Sequence, residues 1–118
     1  DPTEGGVATG LWELAQASGL GLHLTAEALP VLPEGALLCQ VFGLDPLGTI
    51  ASGALLAAVP AAQAEDAIRA CAAAGIACYR LGTAVADTSA RVRYAGTTGG
   101  NFPTFSRDEI VQIFSPEA

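Results

Sequence analysis

The apolar positions at the start of the chain change period within the first twenty-five residues. From Gly6 to Ser18, Val7, Leu11, Leu14 and Ala15 recur at helical spacing, and Gly19 stands in the stop position. Leu20, Leu22 and Leu24 then alternate with Gly21, His23 and Thr25, the pattern of a half-buried strand. Pro30 and Pro33 punctuate a loop before a short helix candidate, Glu34 to Phe42, which carries Leu37, Leu38 and Val41. Gly43 to Gly53 is glycine-punctuated and irregular. Ala54 to Val59 is apolar throughout, which predicts a central strand buried on both faces, and Pro60 ends it. Ala61 to Ala74 is the clearest helix: Ala64, Ala67, Ile68 and Cys71 form a stripe, Glu65 and Arg69 an i,i+4 pair, and Gly75 the stop.

Ile76 to Val85 and Arg91 to Tyr94 predict two strands joined by the polar turn Asp87-Thr88-Ser89. Thr97 to Asn101 reads as a loop. Ser106 and Glu109 spell a capping box for a closing helix, with Phe105 placed to staple against Ile110. The order helix, strand, helix, strand, helix, strand, strand, helix implies an α+β domain, a mixed sheet packed with helices. The alanine-rich helix between two strands makes it partly ferredoxin-like, as one crossover unit.

Composition narrows the class. At 118 residues the chain is expected to form one domain, residues 1–118, with no room for a second core. Hydrophobic residues make up 51% and charged residues 14%, enough to build a core and too little charge for disorder. So sparse a charge predicts a face covered by another domain or subunit. The net charge of -7 argues against nucleic-acid binding and against attraction to an anionic membrane. The longest apolar run, Ala51 to Ala62, is too short and too interrupted to span a bilayer. Cys39, Cys71 and Cys78 are odd in number and lack C-x-x-C spacing, so they read as small buried hydrophobes of a reducing cytoplasm. The sequence contains no Met and reads as beginning inside something longer.

Candidate chemistry concentrates at the start. In Asp1-Pro2-Thr3-Glu4-Gly5-Gly6, a carboxylate and a hydroxyl precede paired glycines that run into the first helix. Amides at a helix start left uncovered by side chains suit a phosphate, and Asp1 is the candidate ligand for the metal ion that accompanies a nucleotide. A capped helix start with closely packed glycines explains the same residues without a ligand. Gly43-Leu44-Asp45-Pro46-Leu47-Gly48 leads toward Ser52 and Gly53, a shaped loop of the kind that places ligands in open α/β sheets. An ordinary turn capped by Asp45 fits it too. His23 stands alone, Arg91 and Arg93 alternate on one strand and present the same face, and Cys71 lies on a helical core stripe. No nucleophile–base pair or metal cluster has visible spacing, so the chain does not read as a complete enzyme.

Two blocks resemble a known family. Asp1 to Ala8 is similar to the D-P/M-T-R/E-G-G-L/V-A motif that opens the C-terminal domain of the AIR synthase-related (PurM-like) superfamily. Phe42 to Leu47, followed by Ala51 to Leu56, resembles its hydrogenase-maturation (HypE-like) branch, and the resemblance runs through essentially the whole chain. It implies a PurM C-terminal-domain-like fold whose partner is the protein's own N-terminal nucleotide-binding domain, absent from this sequence, in a cytoplasmic homodimer. ATP with Mg2+ would lie in the cleft between the two domains, and neither would be held tightly by this domain alone. Asp1, Thr3, Gly5 and Gly6 would face the phosphates, with Asp45, Ser52 and Gly53 as candidates on the substrate side. The full-length protein would be an ATP-dependent enzyme and the isolated domain inactive, with hydrogenase-maturation proteins as further partners. Two departures stand out: Glu4 occupies a position that is usually Arg in that branch, and the sequence ends Phe114-Ser115-Pro116-Glu117-Ala118 where that branch carries a reactive Cys. A cyanide-forming reaction on its own terminus is therefore not expected. The alternative is a non-catalytic ligand-binding or interaction module that keeps the fold without the chemistry.

Overall fold

The computed structural model describes residues 2–25, 29–89, 91–95 and 100–114. Helix α1 spans Gly6–Ser18, strand β1 Gly21–Leu24, helix α2 Pro33–Phe42 and helix α3 Ala64–Ala73. Strands β2 (Gly82–Val85) and β3 (Val92–Tyr94) follow, and the short helix α4 covers Val111–Phe114. Single 3-10 turns occur at Pro46–Gly48 and Ala61–Gln63. The α+β class holds.

Among the described residues the sheet has three strands in the order β2-β1-β3. β1 pairs antiparallel with β2, from Gly21 opposite Val85 to Leu24 opposite Gly82. It pairs parallel with β3, Leu22 opposite Val92 and Leu24 opposite Tyr94. β2 and β3 are consecutive in the chain but do not pair, because β1 lies between them. One sheet face, carrying Leu22, Leu24 and Val92, meets Ala8, Leu11 and Ala15 of α1, and Phe102 closes the cluster. Each of the larger aliphatic side chains contributes on the order of 1.5–3 kcal/mol by leaving water. Tyr94 stands edge-on to Phe102, ring centroids 5.3 Å apart.

Several local expectations are corrected. Ala54 to Val59 is not a strand: no strand lies alongside it among the described residues, and Leu55 and Val59 are 76% and 48% exposed. Leu56 alone turns in against the core. Without that strand the crossover through α3 is not completed, and none of the residues of α3 is buried. Of the predicted strand from Ile76 to Val85, only Gly82–Val85 pairs. Arg69 bonds Asp66 in place of Glu65, a neighbour equally within reach on the helix surface. Only Cys39 of the three cysteines is buried; Cys71 and Cys78 are half-buried.

The capping box also gives way. The closing helix starts at Val111, and Asp108 Oδ1 accepts the Ile110 amide at 3.0 Å. Glu109 reaches to the Asp45 amide, 3.0 Å away, and Phe105 lies over Gly48. Long-range partners took the side chains that the local rule had paired. No helix among the described residues is long and apolar enough to cross a membrane.

Candidate functional site

Asp1 lies outside the described residues. The rest of the opening motif forms a glycine turn entering α1: Gly5 and Gly6 have φ of 81° and 66°, left-handed values that side chains disfavour. The Thr3 carbonyl accepts the Gly6 amide at 3.0 Å and the Ala51 amide at 3.4 Å, while the Thr3 side chain is exposed. A Cβ on Gly6 would come within 2.6 Å of the Leu47 and Thr49 carbonyl oxygens. The two motifs, some forty residues apart in sequence, therefore form one ridge in backbone contact.

Asp45 builds the second half of that ridge. Its Oδ1 accepts the Leu47 amide at 2.9 Å, and its carbonyl accepts the Thr49 hydroxyl at 2.8 Å. This is the cap of the Pro46–Gly48 turn, as an N-terminal Asp before Pro favours. Ser52 and Gly53 follow in an exposed turn closed by Ala54 donating to the Ala51 carbonyl at 3.2 Å. The structure thus brings Gly6 against the loop that Asp45 caps and Thr3 against Ala51, at the start of the Ser52 turn.

Sequence reasoning missed Asp108. It is 7% exposed, and its Oδ2 accepts the Gly5 amide at 2.7 Å across 103 positions of sequence. Both glycine amides thereby have acceptors within the chain. An acidic residue at a helix start complements the helix dipole. The only available signal was the pairing of Asp108 with Glu109 ahead of an apolar turn, which no local rule links to Gly5.

The remaining candidates lie elsewhere. Arg91 donates to the Ala15 carbonyl at the end of α1, 3.2 Å away, a favourable position for a cation. His23 stands between Thr83 and Arg93 in the sheet register, on the face turned from α1. Arg93 Nε is buried with no hydrogen-bond partner among the described residues. The Cys78 thiol is pushed up from its ordinary 9.0, by loss of solvent first and then by the Cys71 thiol, which keeps it protonated at neutral pH. Among the described residues no three His, Cys, Asp or Glu side chains cluster as a metal site. A shallow groove beside the opening motif is lined by Pro2, Gly10, Glu13, Leu14, Ala17 and Leu56, with Glu13 its one ionisable group among the described residues.

The profile of the AIR synthase related protein C-terminal domain matches residues 1–95. The chain belongs to that family. A carbamoyl dehydratase HypE of Bradyrhizobium diazoefficiens is 45% identical over 103 residues, 85% of this chain and 30% of that protein. The Rhodobacter capsulatus protein of the same name is 41% identical over 102 residues, again 85% and 30%. The chain therefore spans about a third of the length of the curated relatives it matches. Among solved structures, E. coli HypE, a hydrogenase maturation protein, superposes with a TM-score of 0.79 at 30% identity, over 96% of this chain and 36% of that one. HypE from a HypE-HypF complex gives 0.73 at 28% identity, over 91% and 35%. The domain is HypE-like, and the ridge carries the motif with which the family match begins.

Proposed function

We propose that this domain forms one wall of an interdomain ATP and substrate cleft in an ATP-dependent, HypE-related enzyme. The observation that carries the reading is the ridge: the Thr3 carbonyl accepts the Ala51 amide, and Gly6 lies against the Leu47 and Thr49 backbone of the Asp45 loop. Backbone-rich surfaces at a helix start suit phosphate groups. Family membership and the similarity to carbamoyl dehydratases support an enzyme of that class. The other wall is the N-terminal nucleotide-binding domain, the whole is a cytoplasmic homodimer, and the domain alone is inactive. A hydrogenase-maturation protein is the partner class, by similarity to the HypE of the HypE-HypF complex. Mg2+ would arrive with ATP, and Asp1 is the candidate ligand that the resemblance implies.

The exposed Thr3 hydroxyl gives the cleanest test, because only its carbonyl holds the ridge together. In the full-length protein, Thr3→Ala should weaken Mg-ATP binding roughly ten-fold, the size of one hydrogen bond to a charged group. Wild-type affinity in that variant would remove the Thr3 hydroxyl's contact with phosphate. Gly6→Asp is a poorer probe, since any side chain there strikes the Leu47 and Thr49 backbone.

One observation favours a second reading, a binding or interaction module without catalysis. The Gly5 and Gly6 amides are already satisfied by Asp108 and Thr3. A full-length protein that folds, binds a hydrogenase-maturation partner and neither binds nor turns over Mg-ATP would establish it.

A further inference from the structure

The segment Phe102–Phe114 lies beyond the family match, which ends at residue 95, yet it packs on the motif that opens that match. It is anchored at its start: Phe102 is buried, its amide donates to the Val92 carbonyl at 3.1 Å, and Trp12 Nε1 donates to the Pro103 carbonyl at 2.9 Å. From there it crosses the ridge as a strap. Asp108 accepts the Gly5 amide at 2.7 Å, and Glu109 Oε1 accepts the Asp45 amide at 3.0 Å. The Glu109 amide in turn donates to the Gly48 carbonyl at 3.0 Å, and Gln112 Nε2 holds the second Glu109 oxygen at 2.5 Å. Phe105 covers Gly48 so closely that a Cβ there would sit 2.5 Å from its ring.

Two consecutive carboxylates therefore each hold one backbone amide of a different motif. The residues they grip, Gly5 and Asp45, belong to the two loops whose mutual placement makes the ridge. We propose that the strap is a positioning element of the cleft wall, in which Asp108 and Glu109 lock the glycine turn to the Asp45 loop and thereby set the affinity for nucleotide. The inference rests on the cleft-wall reading. Its physical basis is that a site built on loops works only when supporting contacts hold it to within about half an ångström. Neither Asp108 nor Glu109 needs to touch the ligand.

Mg-ATP binding to the full-length protein, measured by calorimetry beside thermal unfolding, tests this with Asp108→Ala, Glu109→Ala, Glu109→Gln and Thr3→Ala. Glu109→Gln keeps an acceptor for the Asp45 amide, so it should retain near wild-type affinity. Glu109→Ala should bind roughly ten-fold more weakly, one lost hydrogen bond to a charged group, while still folding. Asp108→Ala should show the same loss, and Glu109→Ala keeps the test decisive where Asp108→Ala does not fold. Amide exchange at Asp45 should quicken in Glu109→Ala and not in Glu109→Gln. Weakened binding with Thr3→Ala but unchanged binding with Glu109→Ala overturns the strap and leaves the cleft wall standing. Unchanged binding in every variant overturns both. Weakening by Glu109→Ala, rescued by Gln, with Thr3→Ala unaffected supports the strap and removes only the Thr3 contact.

Discussion

Gly82 sits where β2 runs close against β1. A Cβ there would lie 2.0 Å from the His23 carbonyl oxygen and 2.8 Å from Leu24 Cα, both backbone atoms that cannot swing aside. Gly82→Ala should therefore part the strands and cost roughly 3 kcal/mol, the upper end of overpacking penalties. Urea unfolding reads this as a lower midpoint; an unchanged midpoint would mean the strands are not so close. Asp87, in the turn between β2 and β3, shows a charge effect. Its Oδ1 accepts the Ser89 amide at 2.9 Å. That bond first and then the Ser89 side chain hold its carboxyl below the ordinary 3.8 against an opposing loss of solvent, with the charges of Arg93 and His23 adding smaller contributions in the same direction as Ser89. A depressed folded value stabilises the fold fully above 3.8, and the stabilisation fades as pH falls through the lower value. Asp87→Asn should flatten the acid limb of stability below about pH 4, and coincident limbs for the two proteins would refute the assignment.

At the scale of elements, legibility followed the range of the forces. α1 was readable to its ends, because its stripe and its stop at Gly19 are local signals that the core then used: Ala8, Leu11 and Ala15 are all buried. β1 was readable for the same reason, although Leu20, at its threshold, remains exposed. The segment from Ala54 to Val59 was not, since an apolar run states a preference for burial without naming what will cover it. The strap was invisible for a related reason. Asp108 and Glu109 satisfy amides 103 and 64 positions away, and a local capping rule assigned Glu109 to Ser106. Of the candidate site, each motif could be read from its resemblance. Their union at Thr3, Gly6 and Ala51 could be seen only once α1 had brought the glycine turn against the Asp45 loop.

Across the whole molecule, apolar surface is distributed unevenly. The core gathers around α1 and the sheet, while Leu37, Leu38, Val41 and Phe42 of α2 face outward with Leu55, Ile76 and Tyr79. The radius of gyration is 14.9 Å, against about 13.5 Å for a compact domain of this length. No charged residue occurs between Asp45 and Glu65, so the outward apolar part of that stretch has no charge of its own to keep copies apart. The opposing force is the net charge of -7, a longer-range repulsion that salt screens. The two forces respond oppositely to salt, which gives the association a signature. The isolated chain should self-associate as its concentration rises, and more readily in sodium sulfate, which both screens the charge and strengthens apolar burial. Sedimentation velocity at low and high salt measures this. Leu55→Asp, placed at a 76% exposed position where no core contact is lost, should lower the association without lowering the melting temperature. A strictly monomeric profile at both salt concentrations would show that the apolar surface is too dispersed to bind a second copy. Association that Leu55→Asp leaves untouched would move the contact to α2.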